Sequence, residues 1–461
     1  VIEIDREHPE YRQRKATWQT YRDLYAGGDQ LKSRANEYLK ARQREPAQVY
    51  GERLSRVFYE NYVGSIVDWY AATLFRREPV IALEGKNARG REFFNRFLED
   101  CDLRGTAITD FFRKVFVDAL ICGTGYVLVD FPRTEGHVSN RAEEDLLGAS
   151  RAYLVHRTAE ELINWSRDER GGFEWVVMRS EHLRQEGSEW VVERRWTRYD
   201  RQRYESYRRV ELGQERGAVE LTGEGRHGLA RQMQVPLFRL EISEGLWLLN
   251  KAGLLQLEHF NKSNALSWAL TMGLFAMPVV YTEREFNQMV GESYYLQLGK
   301  EDRFGWTEPE GHVFQIAAEN LVRLQEEIYR VCHLAHAGGR LSGGAAQSGL
   351  SKQRDYSITQ EVLRAYGDAV KDTVKKVLRA IVEARADGLS VTVSGLDEFD
   401  IGDFSAELDD AERLLRLGAG SPTLEREVRK KLALKYLSDS RQDLKDRIAE
   451  EIDAAGTARQ E

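Results

Sequence analysis

The stretch GGRLSGGAAQSGLSKQRD, residues 338–355, gathers glycines, hydroxyls and cations as a phosphate-binding loop does. A P-loop needs Gly, four residues, Gly, then Lys and Ser or Thr, so that the lysine reaches the terminal phosphates. Gly344 and Gly349 have that separation, but Leu350, Ser351 and Lys352 follow in the wrong order. The residues before them also have a helical pattern, not that of the buried strand that launches a P-loop. The spacing argues against a nucleotide. Long helical patterns flank the stretch on both sides, and it is too short for a linker, so it needs another purpose.

Other chemistry-bearing clusters fail in similar ways. Cys332 and His336 share a helical face, with His333 beside them, but a metal site needs three or four ligands and no second pair lies near. Cys332 reads instead as a small core residue. Asp397, Glu398, Asp400 and Asp403 could hold Mg²⁺ or Ca²⁺, yet they lack the order of an EF-hand. They read mostly as the solvated exit of a strand. The run ERRWTRYDRQRYESYRR (193–209) interleaves aromatics and guanidiniums as single-strand binders do. Its alternation fits equally an exposed hairpin whose charges face water or a partner protein, and the protein contact is favoured. GxSxG and HExxH are absent. No constellation supports catalysis, so neither an enzyme, a metal nor a cofactor is expected.

The bulk of the chain sets further limits. At 461 residues it exceeds one ordinary core and should form two or more subregions. Lys and Arg number 67 against 75 Asp and Glu, a net charge of −8. A protein that grips DNA by its phosphates carries a basic excess, so tight nucleic-acid binding is disfavoured. Cys101, Cys122 and Cys332 are far apart and make no disulfide framework, which points to a reducing compartment. The longest apolar run, GLFAMPVVY (273–281), is too short to span a bilayer and contains Pro278. No membrane partner is expected. VIEIDREHPE has no signal-peptide pattern, and a chain starting at Val1 leaves room for residues before it.

The elements that would carry these residues make an α+β chain, mostly helical. Helices are predicted over 11–25, 30–43, 48–76 and 106–121, the third with Leu54, Val57, Phe58, Tyr62, Ile66, Tyr70 and Leu74 in steps of three and four. Gly27 and Gly28 stop the first, and Gly123 and Gly125 end the fourth ahead of the strand 126–131. Segments 152–156, 173–179, 189–198 and 203–210 are rich in Val, Trp and Tyr and read as strands. Residues 132–150 and 212–231 read as loop or mobile hairpin. A helix over 245–276 sets Leu249, Ala252, Leu255, His259, Lys262, Leu266 and Leu270 near one stripe with few polar residues, so it expects neighbours on several sides. Short strands are expected in 278–316, and helices over 319–336 and 355–387. The last is strongly periodic through Ile358, Val362, Tyr366, Ala369, Val377 and Ile381. A strand at 390–396 and helices near 405–417 and 422–453 follow, the last with Ser421 or Thr423 as N-cap.

This order of elements resembles that of the portal proteins of tailed bacteriophages over most of the chain. ALICGTGYVLVDFP (119–132) and SGLSKQRD (348–355) opening a long helix carry the resemblance most specifically. RDLYAGG (22–28) with LSRVFYENYVGSIVDWYAATLFRREP (54–79), and VTVSGLDEFD (391–400), add to it. Region 132–245 matches only in being β-rich. The resemblance implies a subunit with wing, stem, clip and crown, assembled as a ring of twelve around a DNA channel. Wing helices would occupy 1–131, β-rich wing and clip 132–245, a stem helix 246–276, more wing 277–335, and a tunnel loop 336–352. The long helix and strand of the wing would be 353–396, and a helical crown 397–461. Arg340, Ser342, Gln347, Ser348, Lys352 and Arg354 would then face the channel, and Leu255, Leu266 and Leu270 would meet neighbouring subunits.

A pore-lining loop needs small, flexible residues because bulk would close the channel. Acidity suits a channel as well, since twelve copies at −8 each carry about −96, which repels phosphate on average and lets DNA slide. The implied partners are further copies of the chain, a terminase large subunit, major capsid and scaffolding proteins, tail adaptors, and double-stranded DNA in passage. The implied location is the portal vertex of the virion, after assembly in the host cytoplasm. The alternatives are an α+β scaffold or adaptor without DNA and, less favoured, a metal-dependent nuclease using the carboxylates of 397–403.

Overall fold

A computed structural model describes residues 4–132, 150–187, 189–212, 215–216, 218–274, 277–283, 298–307, 311–334, 349–397 and 399, with helical pieces at 424–426, 428–430, 433, 447–448 and 451–452. The chain divides into two compact units, one of Val1–Ala346 with Glu361–Asp397, the other of Gln347–Gln360 with Glu398–Glu461. The fold is mixed α+β and mostly helical, as the sequence leads one to expect.

In the first unit, helix α1 (Pro9–Ala26) starts with proline, whose fixed φ suits the first helical position. It ends at Gly27 with φ of 59°, a conformation that favours glycine. Trp18, Tyr21 and Leu24 are buried from its inner face. The helix expected over 30–43 is two short ones, α2 (Gly28–Ser33) and α3 (Ala35–Tyr38), because Arg34 leaves helical geometry between them. The helix expected over 48–76 also divides, into α4 (Ala47–Ser55) and α5 (Tyr62–Leu74). Asn61 caps α5 by accepting the Gly64 N–H at 2.8 Å. Strand β1 (Val80–Glu84) and helix α6 (Ala88–Glu99) follow, neither expected from the sequence.

Helix α7 (Ile108–Cys122) is the centre of this unit, and burial of Phe111, Phe112, Val115, Phe116 and Leu120 explains its pattern. Its last carbonyls are capped by two indoles: Trp247 Nε1 donates to Ile121 at 2.8 Å and Trp18 Nε1 to Cys122 at 2.9 Å. Gly123 then turns the chain with φ of 81° into β2 (Thr124–Asp130). At Gly125 a side chain would lie 2.6 Å from the Val115 carbonyl, so glycine lets strand and helix touch. The GTG of the sequence is thus a tight helix–strand joint.

Strand β2 is the middle of a three-stranded sheet between β3 (Tyr153–Arg157) and β10 (Leu237–Glu241). A larger, six-stranded sheet is built from β4 (Leu162–Arg167), β5 (Phe173–Glu186), β6 (Glu189–Asp200), β7 (Arg203–Leu212), β8 (Glu215–Arg216) and β9 (Glu220–Arg226), all antiparallel. The expectation of loop or mobile hairpin over 212–231 is corrected here, because Glu220–Arg226 pairs with β7 although most of its residues are charged or glycine. Strands β11 (Met277–Tyr281) and β12 (Arg303–Thr307) form a separate antiparallel pair. β13 (Ser390–Ser394) returns to pair with β1, from Val80 opposite Ser394 to Glu84 opposite Ser390.

Three long helices complete the description: α8 (Leu248–Leu274), α9 (Gly311–Val331) and α10 (Gly349–Arg385). α9 starts earlier than the expected 319, and α10 starts at Gly349 instead of 355. Val362, Tyr366, Val377 and Ile381 of α10 are buried as their spacing requires, but Ile358 is exposed. The expected helices 405–417 and 422–453, with Ser421 and Thr423, lie outside the described residues apart from the short pieces named above.

Candidate functional site

Helix α8 joins two different surfaces. Its first five turns bury an unusual set of polar side chains, Gln256, His259, Ser263 and Asn264, on one face. Burying an amide is costly unless its hydrogen bonds are made, and here they are made to non-helical backbone. Asn264 accepts the Phe58 N–H at 3.1 Å and donates to the Phe58 carbonyl at 2.9 Å. Gln256 donates to the Glu60 carbonyl at 2.8 Å and accepts the Val63 N–H at 3.3 Å. Asn261 accepts the Lys40 N–H at 2.8 Å and donates to the Tyr38 carbonyl at 3.0 Å. Gln256 and Asn264 satisfy the backbone between α4 and α5, which is why the helix expected over 48–76 can break there, and Asn261 does the same for the chain leaving α3.

The predicted stripe on α8 therefore splits. Leu249, Ala252 and His259 are buried, Leu255 and Leu266 are half-buried, and Lys262 and Leu270 are exposed. Lys262 is ion-paired to Glu258 at 3.1 Å. Helix α9 runs antiparallel to α8: Lys251 Nζ lies 3.2 Å from His333 Nε2, and Lys262 Nζ donates to Asn320 at 2.9 Å. At 1.5 Å of rise per residue, that register carries Leu266 and Leu270 alongside the turns holding Ile316 and Val313.

No residue from Ala265 to Thr271, nor from Val313 to Arg323, is fully buried. Several are large and apolar: Leu270 is 42% exposed, Val313 62% and Ile316 53%. Leu254, earlier on α8, is 74% exposed. Trp268 has Arg56 over its ring at 5.8 Å. A pair of helices with this much uncovered apolar surface is incomplete as a monomer's exterior.

Of the residues expected to face a channel, Lys352 and Arg354 are described. Arg340, Ser342, Gln347 and Ser348 lie outside the described residues. Lys352 and Arg354 are in the first turns of α10, so the loop 336–352 expected from the sequence ends before Gly349.

The alternative chemical clusters are also located. Among the described residues no group of three or more His, Cys, Asp or Glu could hold a metal ion. Cys332 is a core residue whose thiol burial pushes up to about 12, and Tyr70 donates to its carbonyl at 2.6 Å. His333 meets Lys251, and His336 lies outside the described residues, as do Glu398, Asp400 and Asp403; Asp397 is exposed. The run 193–209 forms β6 and β7, where its cations are largely ion-paired: Arg194 to Glu181 at 2.7 Å, Arg198 to Glu205 at 3.5 Å, Arg208 to Glu220 at 3.2 Å. Trp196 is fully buried under the Arg209 guanidinium at 4.9 Å, so this pattern largely serves the sheet itself. No helix among the described residues is long and apolar enough to cross a membrane.

A half-buried charge cluster around the buried Asp118, which sequence reasoning missed, joins α1, α7, β3 and the turn after β3. Arg22 pairs with Asp118 and, at 2.7 Å, with Glu160; His156 Nε2 lies 2.5 Å from Asp118. Burial alone would raise the Asp118 carboxyl, but His156 and Arg22 hold it below the usual range. The cluster is enclosed by three elements and reads as structural.

No protein-family model matches the chain. No curated protein matches it either. Among solved structures, the chain is similar to one in the "Neck of empty GTA particle computed with C6 symmetry", with a TM-score of 0.44 and 13% identity over 78% of this chain and 86% of that one. It is also similar to one in the "Virion of native gene transfer agent (GTA) particle", with a TM-score of 0.41 and 12% identity over 87% and 95% respectively. Both TM-scores fall below 0.5, and the functional reading rests on the chain's own residues.

Proposed function

We propose that this chain is the subunit of a portal-type ring, a DNA channel at a capsid vertex through which a genome is packaged, retained and ejected. The observation that carries the reading is the uncovered apolar surface of the α8–α9 pair, which a ring of identical copies would cover. Leu255, Leu266 and Leu270 are then subunit contacts. The Gly-, Ser- and Ala-rich residues between α9 and α10 supply the small side chains a channel lining needs, with Arg340, Ser342, Gln347, Ser348, Lys352 and Arg354 offering brief contacts to phosphate. The net charge of −8 supports passage over retention by tight binding.

On this reading twelve copies assemble, terminase docks on the ring to drive packaging, and tail adaptors replace it. Capsid and scaffolding proteins surround it, and its place is the virion. The protein itself hydrolyses no ATP, since a separate motor supplies the energy. The mass of the purified protein tests assembly: a ring of several copies supports the reading, and a monomer at all concentrations rejects it. Packaging of DNA into capsids carrying the ring separates a portal from a scaffold or adaptor that forms rings without passing DNA. ATP turnover that survives repurification and disappears in Lys352→Ala would overturn the non-enzymatic part.

A further inference from the structure

A cleft of about 580 Å³ lies beside β10, the β4–β5 turn and α10. Leu237, Phe238, Arg239 and Glu241 of β10 all line it. Successive residues of a strand face opposite ways, so a cleft touching 237, 238 and 239 borders the strand's edge. β10 has β2 on one side and no strand on the other among the described residues.

The register identifies which backbone groups that edge offers. Val129 N–H donates to the Pro236 carbonyl at 2.8 Å and Ile242 N–H to the Gly123 carbonyl at 3.0 Å. With Phe238 opposite Val127 and Leu240 opposite Gly125, residues 236, 238, 240 and 242 are the ones bonded to β2. The N–H and C=O of Leu237, Arg239 and Glu241 point the other way, along the cleft, and have no backbone partner among the described residues. An unpaired edge of this kind is a template for another strand.

The side chains around it set the chemistry of that strand. Arg201 is held by Asp168 at 2.7 Å, and Arg239 is paired with Glu241. Asp168 also accepts the Arg170 and Gly172 N–H groups, so its carboxylate is committed to the turn. The Arg167 guanidinium lies over the Trp165 and Phe173 rings at 5.7 and 5.4 Å, with no carboxylate partner among the described residues. Lys376, from α10, likewise has none, and Asp372 is the acid left to oppose these two cations. Phe173, Met233 and Val235 supply apolar surface between them.

We propose that the cleft binds an extended acidic peptide strand of a separate protein, which adds to the free edge of β10. Main-chain bonds to Leu237, Arg239 and Glu241 would hold the strand. Arg167 and Lys376 would select carboxylates at alternate positions, and apolar residues would pack on Phe173 and Met233. A separate protein fits better than a second copy because the cleft is polar and charged. Permanent contacts between identical copies are more apolar, and the chain offers such a surface on α8 and α9 instead.

The test uses the full chain and a labelled octapeptide alternating glutamate with valine. The peptide should bind, and its lysine–valine counterpart should bind at least about tenfold more weakly. N-methylation of the peptide's edge-facing amides should cost a similar factor. Arg239→Pro removes only an outward N–H from the ladder and should weaken binding beyond Arg239→Ala, with thermal melting checking that both variants fold. Hydrogen exchange gives a second measurement. The Leu237, Arg239 and Glu241 amides should exchange fast in the free protein and slow with peptide, while Phe238 and Leu240 are slow in both. Equal binding of N-methylated and plain peptides would overturn strand addition. Edge amides already protected in the peptide-free protein would overturn a separate partner and assign the edge to another part or copy of this chain.

Discussion

The two halves of α8 solve opposite problems with one helix. From Leu248 to Asn264 it buries polar amides and pairs them with backbone outside itself, Gln256 and Asn264 with the α4–α5 break and Asn261 with the chain leaving α3. From Ala265 onwards it carries Leu266, Trp268 and Leu270 and buries none of them fully. In the first half, polar burial fixes one geometry, because an amide shifted by a turn would lose its partners and cost the full desolvation. In the second half, apolar surface awaits a partner, and each large aliphatic side chain covered would contribute about 1.5–3 kcal/mol. Hydrophobicity alone would assign the two halves the wrong way round: here the polar residues belong to the fold, and the apolar ones belong to assembly only on the proposed portal reading.

The comparison breaks most directly at Leu266. Replacing it with Asp should abolish rings while leaving helix content and the melting of the free chain nearly unchanged, since an unpaired charge buried at a contact costs several kcal/mol. Size-exclusion with light scattering and circular dichroism on the same sample checks both. Intact rings would place the subunit contact elsewhere. Two residues earlier the outcome should invert. Asn264→Leu leaves the Phe58 N–H and C=O without their partner and should cost about 2–4 kcal/mol of folding stability in denaturant unfolding. An unchanged midpoint would mean that water or a shifted backbone replaces the amide.

How far the sequence predicts this division depends on where each constraint comes from. Local ones are readable: Gly27 and Gly123 stop α1 and α7, and periodicity places α7, α8 and most of α10. The break after α4 is not readable, because its hydrogen-bond partners, Gln256 and Asn264, lie about two hundred residues further on. The amides Gln256, Asn261 and Asn264 in an otherwise apolar helix are the available signal. Strand β9 is hidden by its glycines and glutamates and forms because β7 is there to pair with. Of the proposed site, Leu255 and Leu266 are half-buried and Leu270 is exposed. Val313 and Ile316 do not show in the sequence, because they precede the expected helix start at 319. The residues expected to line a channel are chosen from composition alone.

That composition supports a smaller prediction, which separates the channel from both halves of α8. Removing Gly343 to Ser348 takes away only Gly, Ala, Gln and Ser, so ring mass and melting temperature should change little while packaged DNA falls sharply. Arg340→Glu or Lys352→Glu should give a milder defect that depends on salt, because contacts to phosphate weaken as ionic strength rises. Normal packaging by intact rings of the deletion variant would remove the channel role from this segment.

The smallest effect concerns protons in the folded half. His259 is buried on α8 with Nδ1 unpartnered, its Nε2 3.6 Å from Glu60 and its ring edge-on to Tyr62. Burial lowers its pKa, and Glu60 only partly opposes that. A histidine lowered in the folded state binds its proton more readily when unfolded, so its contribution to stability is present above the ordinary histidine value and is lost as pH falls below it. His227 and His333 are lowered in the same direction, also by burial first. Asp118 acts in a separate window: its carboxyl is held low, so its contribution disappears only at more acid pH, as the solution falls through the folded value. Stability should therefore decline in two stages, the first beginning just below the histidine range. His259→Gln should flatten part of the first stage, by no more than about 1.4 kcal/mol per pH unit for a single group, and leave the second unchanged. Denaturant midpoints measured from neutral to acid pH on both proteins read this slope. An identical first stage in the variant would show that His259 does not take up a proton there, and that the other buried histidines carry it.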